Sequence, residues 1–184
     1  AIQFAVPVIK EILEAFHIPQ IAVEGFEADD VIGTLAKKAE KQGFTTYMVT
    51  PDKDYAQLVT DKTFMYRPAR MGNAIEIWDV KKVLERFEIT DVSQVRDYLG
   101  MMGDASDNIP GLPGVGEKTA KKFLAQYGTM ENLLEHAGEI KGALGEKISA
   151  NKEIGMLSKR LATIETDVPV EFDSGCCIME RPDL

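Results

Sequence analysis

Histidine and cysteine are scarce in this chain and long apolar runs are missing, and each gap removes a class of function. The 184 residues hold two histidines and two cysteines. Cys176 and Cys177 are adjacent near the C-terminal end. Neighbouring thiols supply neither a disulfide framework nor metal-site spacing, so a reducing cytosol is the expected compartment. His17 and His136 each stand alone, which reads as structural or solvated histidine. No apolar run approaches the ~20 residues of a membrane span, and no signal-peptide pattern is visible, so no membrane partner is expected.

A basic excess is lacking too. Lys and Arg number 21 against 30 Asp and Glu, for a net charge of −9. Nucleic-acid binders usually carry a basic footprint, so the total argues against one. Acids gathered into a cation site count against that total, however, although bound metal offsets them. The basic residues form their own clusters at Lys37, Lys38 and Lys41, at Arg67 and Arg70, and at Lys118 to Lys122. The acidic balance therefore lowers the expectation of a nucleic-acid partner without removing it.

What is present is an ordinary globular composition, 45% hydrophobic and 28% charged, enough for one good core with a small subdomain. Apolar spacing predicts helices over 5–16 and 27–42, the second with acids in its first turn and lysines in its last. IPQIAVEG (18–25) and TTYMVT (45–50) read as strands, and PDKDYAQLV as a turn into a short helix. TFMYRP and AIEIW read as two further strands around a turn at Gly72-Asn73. After Trp78, itself expected in the core, the pattern becomes short helices until ATIETDVPVEF, expected to be a final strand. The predicted fold class is α/β: a parallel or mixed sheet flanked by helices over 1–78, a helical subdomain over 79–160, and a C-terminal strand and tail over 161–184.

Ligands of such sheets sit outside the carboxyl ends of the strands. Both predicted strand ends are acidic: Glu27, Asp29 and Asp30 follow the first, and Asp52 and Asp54 the second. Each group alone is explained by helix capping. Brought to one sheet edge, they repel unless cations lie between them. Oxygen ligands without histidine or thiolate point to Mg²⁺ or Mn²⁺.

A third acidic pair, Asp104 and Asp107, opens GDASDNIPGLPGVGEKTAKK (103–122). Gly111 and Gly116 have P-loop separation, but Glu117 stands where that motif needs lysine, and a helical pattern precedes the loop. An EF-hand count from Asp104 puts Ile109 at the required glycine and Val115 at the required glutamate. Both motifs fail. What survives is a tight turn, Gly114-Val115-Gly116, entering a helix that carries Lys118, Thr119, Lys121 and Lys122. Turn glycines and a helix N-terminus can grip a sugar-phosphate backbone without reading bases. The structural alternative is an ordinary helix connection with a solvated lysine face.

EGFEADDVIGTLAKKAEKQGF, VTPDKDYAQLV and YLGMMGDASDNIPGLPGVGEKTAKKFL resemble the 5′-nuclease domains of bacterial DNA polymerases I, within the flap endonuclease family. The resemblance spans much of 20–140, and EIGMLSKRLATIETDVPVEF extends it more loosely. It implies a flap-endonuclease-like (PIN-type) core followed by a helix–three-turn–helix element. The implied activity is hydrolysis of DNA phosphodiesters at 5′ flaps and nicks in replication and repair, using two divalent ions. Glu27, Asp29 and Asp30 would serve the first ion, and Asp52, Asp54, Asp104 and Asp107 the second, directly or through water. The 114–122 segment would grip duplex DNA and hold K⁺ through backbone carbonyls. A bacterial, nucleoid-associated monomer attached to a polymerase portion is the implied setting. AIQFAVPVIKEIL resembles the helix after the family's basic arch, so the chain is expected to correspond to the C-terminal two-thirds of the domain. Two readings compete: a DNA-binding fragment inactive without the N-terminal carboxylates, and a haloacid-dehalogenase-type phosphatase built on Asp52-x-Asp54.

Overall fold

Acids in a first turn and lysines in a last turn suit the helix dipole, and the segment with that pattern forms α2 (Ala28–Lys41), with Asp29 and Asp30 at its start and Lys38 and Lys41 at its end. Glu27 and Asp30 close a reciprocal capping box, the Asp30 carboxylate accepting from the Glu27 backbone N–H at 3.3 Å. A computed structural model describes residues 2–69 and 74–182. The expected turn at Gly72-Asn73 and the cation of Arg70 lie outside the described residues.

The chain divides into two compact units, Ala1–Phe44 with Glu165–Leu184, and Thr45–Ile164. In the first, α1 (Ile2–Ala15) precedes α2 and buries no residue, leaving Ile2, Phe4, Ile9 and Ile12 exposed. The strand expected over 18–25 does not form. Strand structure needs a hydrogen-bonded neighbour, and Pro19 has no N–H to offer one. The strand expected within ATIETDVPVEF is absent as well, because side chains of α2 take up its backbone groups. The Asp30 carboxylate accepts from Glu165 N–H at 2.8 Å and the Thr34 hydroxyl from Val168 N–H at 3.1 Å. Lys38 Nζ donates to the Val170 carbonyl.

The second unit carries a mixed three-stranded sheet in the order β1-β2-β3: β1 (Thr46–Val49), β2 (Thr63–Arg67) and β3 (Glu76–Trp78). β1 and β2 run parallel with Met48 opposite Met65, and β3 returns antiparallel with Trp78 opposite Met65. The parallel connection contains a 3₁₀ turn, Lys53–Leu58. Further α-helices follow: α3 (Val80–Phe87), α4 (Gln94–Met102), α5 (Glu117–Tyr127), α6 (Met130–Glu135) and α7 (Ala143–Ala150). The last is α8 (Lys152–Leu161).

Strands and helices of this unit share one core, from Met48, Met65 and Trp78 through Phe87, Tyr98 and Leu99 to Leu124, Leu133 and Ile148. The expected boundary at 78 thus falls within a continuous core. Edge-to-face rings join sheet to helices, Trp78 to Phe87 at 6.3 Å and Phe87 to Tyr98 at 5.1 Å. A buried ion pair ties the helices together: Lys159 Nζ on α8 lies 2.6 Å from Asp97 Oδ1 on α4 and 2.7 Å from Glu131 Oε2 on α6.

Candidate metal centre and nucleic-acid interface

The turn after β1 is built by its own side chains. Asp52 N–H donates to the Thr50 hydroxyl at 3.1 Å, and Asp52 Oδ1 accepts from Asp54 N–H at 3.0 Å, capping the 3₁₀ turn. The expected capping role of Asp52 is therefore present. It also points the next residues toward the loop after α4. There, a short antiparallel bridge joins Asp104 to Ile109, with reciprocal backbone bonds of 2.9 and 2.8 Å.

Two glycines make that loop possible. Gly103 lies at φ 67°, ψ 176° and Gly111 at φ 67°. A Cβ on Gly103 would stand 2.4 Å from the Ile109 carbonyl oxygen, and one on Gly111 would stand 2.6 Å from the Gly103 nitrogen. The loop is pinned to α8 by a buried bond from Gly111 N–H to the Ser158 hydroxyl at 3.0 Å.

Asp54 and Asp104 meet across one ammonium. Lys53 Nζ donates to Asp104 Oδ2 at 2.8 Å and stands 3.5 Å from Asp54 Oδ1, an ion pair too long to be a hydrogen bond. Asp104 Oδ1 also accepts from Ser106, from its hydroxyl at 2.7 Å and its N–H at 2.9 Å. The Lys53 hydrogen bond, followed by those from Ser106, holds the Asp104 carboxyl far below the usual carboxylate range. Asp54 is pushed the other way. Its burial raises the carboxyl, and the Asp52 and Asp104 charges add to this, outweighing Lys53. For Lys53 burial works downward, but the Asp104 hydrogen bond and both carboxylate charges leave the ammonium above its ordinary value.

Asp54 Oδ1 is buried without a hydrogen bond. An orphaned carboxylate oxygen, facing a second carboxylate across a cation, is a donor set that suits a hard divalent ion. Asp107, in the same loop, is exposed. Among the described residues, no group of three or more His, Cys, Asp or Glu side chains stands together around a point. The structure thus brings together Asp54 and Asp104, keeps Asp52 beside them as a cap, and leaves Asp107 outside the pair. In the other unit, Asp30 is engaged by two backbone N–H groups, of Glu27 and Glu165, while Glu27 serves as the N-cap of α2.

The glycine turn enters α5 as expected. Gly114 takes φ 83°, Val115 is buried, and Gly116 is the N-cap with open space beside its Cα. Lys118 and Lys122 are exposed and Thr119 is half-buried, but Lys121 is spoken for. Its ammonium lies 2.9 Å from Glu88 and 3.0 Å from Glu117, with 14% of the side chain exposed. Glu88, Glu117, Lys118, Lys121, Lys122 and Ala125 line an open cavity of about 660 Å³. Arg67 is likewise engaged: its guanidinium lies 4.7 Å over the Trp78 ring and donates to the Pro51 carbonyl at 3.0 Å. Sequence reasoning did not single out Lys53, Ser106 or the Gly103–Gly111 approach. A lysine between the two aspartates of D-x-D was the available signal for the first.

Residues 1–88 match the family model "5′-3′ exonuclease, N-terminal resolvase-like domain", and residues 90–184 match "5′-3′ exonuclease, C-terminal SAM fold". The chain belongs to the 5′–3′ exonuclease family. Among curated relatives of this exonuclease module, DNA polymerase I of Bacillus subtilis is 47% identical over 166 residues, 90% of this chain and 19% of that protein. The thermostable DNA polymerase I of Thermus thermophilus is 40% identical over 168 residues, 91% of this chain and 19% of that protein. The chain spans about a fifth of the length of these relatives.

Among solved structures, bacteriophage T5 flap endonuclease in a pseudo-enzyme–product complex with DNA and metal ions is similar in fold. Its TM-score is 0.73 at 21% identity, covering 88% of this chain and 57% of that one. The catalytic core of Rad2 bound to DNA substrate gives 0.64 at 18%, covering 97% and 60%. These likenesses fix the fold: a mixed sheet flanked by helices with a helical C-terminal part. No helix among the described residues is long and apolar enough to cross a membrane.

Proposed function

We propose that this chain is the catalytic and DNA-gripping part of a structure-specific 5′ nuclease that hydrolyses phosphodiesters at 5′ flaps and nicks. The observation that carries the reading is the Asp54–Asp104 pair, converging on one cation with Asp54 Oδ1 buried and unbonded. Asp54 and Asp104 would hold a divalent ion, Mg²⁺ or Mn²⁺, with Asp52 fixing the turn and Asp107 reaching in through water. Glu27, Asp29 and Asp30 would serve a second ion. When bound, such ions activate water and stabilise the leaving oxygen of an in-line displacement.

The chain's own part is positioning. The short Asp104–Ile109 bridge and the Gly103–Gly111 approach hold one carboxylate in place. The capped 3₁₀ turn aims the other. Duplex DNA would lie against Gly114, Val115 and Gly116, which lead into the N-terminus of α5, with Lys118, Thr119 and Lys122 beside it. Lys121, held by Glu88 and Glu117, shapes this surface more than it neutralises phosphate. K⁺ at the turn, action as a monomer, a polymerase portion in the parent protein, and a place at the bacterial nucleoid belong to the same reading. The phosphatase alternative has no support from the family match.

The test is anisotropy of a labelled 5′-flap duplex titrated with this chain in Mg²⁺ at two salt concentrations, with product run on a gel. Salt-sensitive binding with cleaved product is expected. Binding without product would favour the inactive DNA-binding fragment. No binding at either salt would overturn the role of the α5 turn.

A further inference from the structure

Lysine is an odd occupant for the middle of an acidic site. Its ammonium carries three donors and one positive charge, and no lone pair with which to hold a metal. Lys53 nonetheless turns inward, 2.8 Å from Asp104 Oδ2 and 3.5 Å from Asp54 Oδ1, although half its side chain is exposed and solvent is within reach. Asp54 and Asp104 come from separate segments, the turn after β1 and the loop after α4. Without a cation between them these carboxylates would repel. Lys53 is the side chain that supplies one.

We infer that Lys53 is an internal stand-in for the metal: its ammonium occupies the cation position between Asp54 and Asp104 and has to be displaced before a divalent ion can bind. The inference rests on the proposed metal site and assigns its regulation to this one residue. Charge repulsion favours displacement. A hard divalent ion of the Mg²⁺ type sits about 2.1 Å from its carboxylate oxygens. An ion that close to Asp104 Oδ2 meets Lys53 Nζ at an oxygen already hydrogen-bonded at 2.8 Å, and two cations held about 4 Å apart on it repel. Four methylenes and the exposed face of the turn give the ammonium a route outward. Lys53 therefore does two things. It keeps the carboxylates apposed when metal is scarce, and it lowers apparent metal affinity, so that the site fills only above a threshold concentration.

The experiment measures Mn²⁺ binding to the chain without DNA, by electron paramagnetic resonance of free Mn²⁺ and by titration calorimetry. Wild type is compared with Lys53→Met, Lys53→Gln and Lys53→Arg, and with Asp104→Asn as the site control. Removing the competitor should tighten Mn²⁺ binding roughly five- to tenfold in both Lys53→Met and Lys53→Gln, within the usual span of coupling between two ligands of one site. Lys53→Arg should stay near wild type, and Asp104→Asn should lose the site. Trp78 emission reports folding of each variant, so two neutral replacements protect against one that misfolds. Mn²⁺ affinity unchanged or weakened in folded Met and Gln variants, with Asp104→Asn still defective, overturns the stand-in role and leaves the metal site standing. Absence of Mn²⁺ binding in every protein overturns the metal site and the inference together.

Discussion

Replacing Gly103 with alanine should collapse the geometry of the acid pair and destabilise the unit that carries it. At φ 67° and ψ 176° the residue occupies backbone space that is essentially reserved for glycine, which costs another residue about 1–3 kcal/mol. The added Cβ would also stand 2.4 Å from Ile109 O and 2.6 Å from Gly111 N. Those are backbone atoms of the facing strand of the loop, so no rotamer change relieves the contact. Forcing atoms into a packed site adds about 1–3 kcal/mol. The two effects together give about 4 kcal/mol, and for a unit of this size each kcal/mol moves Tm by roughly 4 °C, so Tm should fall by about 15 °C. Trp78, the single tryptophan and 3% exposed, reports thermal unfolding of the unit by fluorescence. Gly116→Ala serves as the comparison, since its φ of −108° suits any residue and nothing lies within 4 Å of the new Cβ. As an N-cap change it should cost no more than about 1 kcal/mol. A Gly103→Ala protein melting within 3 °C of wild type would refute the reasoning from φ and close approach.

Three further outcomes are expected. Lys159→Met strips the cation from Asp97, which is 3% exposed, and should cost about 3 kcal/mol in urea unfolding, softened by the bond Asp97 keeps from Met130 N–H. Adding Asp97→Asn should recover part of that loss. Lys118→Ala with Lys122→Ala should reduce the slope of log K for flap DNA against log salt by up to about 2. Lys121→Ala should leave the slope alone and lower Tm, and a slope lowered only by Lys121→Ala would invert the assignment. For pH, Asp104 has a depressed folded pKa, so its contribution is present above about pH 4 and fades as pH falls below its unfolded value. Asp54 has the opposite sign: its raised folded pKa contributes below its unfolded value, near pH 4, and is lost as pH rises through the folded one. Urea midpoints between pH 2.5 and 6 should show Asp104→Asn flattening the acid limb and Asp54→Asn removing the fall above it.

Much of this was legible because the deciding signals are local. The acids and lysines of α2 and the glycine turn before α5 act within a few residues of themselves. The strands that failed, at 18–25 and within ATIETDVPVEF, failed for a non-local reason. Apolar alternation marks a segment able to pair, while pairing itself depends on a partner. For the second segment the partners proved to be Asp30, Thr34 and Lys38 of α2, more than a hundred residues earlier. Lys121 illustrates the same limit. Its place in a lysine cluster suggests a phosphate contact, and only Glu88, on another helix end, reveals that its charge is already balanced.

The 103–122 segment sets an acidic loop beside a glycine turn and a lysine-bearing helix, and the structure gives a mechanical reason for the adjacency. The antiparallel bridge that holds Asp104 ends at Ile109, and Gly111 closes it against Gly103 before the chain reaches Leu112 and the turn. Leu112 N–H returns to the Met101 carbonyl at 2.9 Å, and Val115 N–H to the Leu112 carbonyl at 3.0 Å. The proposed metal ligand and the proposed phosphate-facing turn are therefore consecutive links of one hydrogen-bonded loop, anchored on α8 through Ser158. A displacement of the Asp104 carboxylate would then be passed to the backbone at Gly114–Gly116 along these bonds. If so, Ser158→Ala, which removes the buried anchor without touching either end, should weaken Mn²⁺ binding and flap-DNA binding together. Loss of only one of the two would show that the loop's halves move independently.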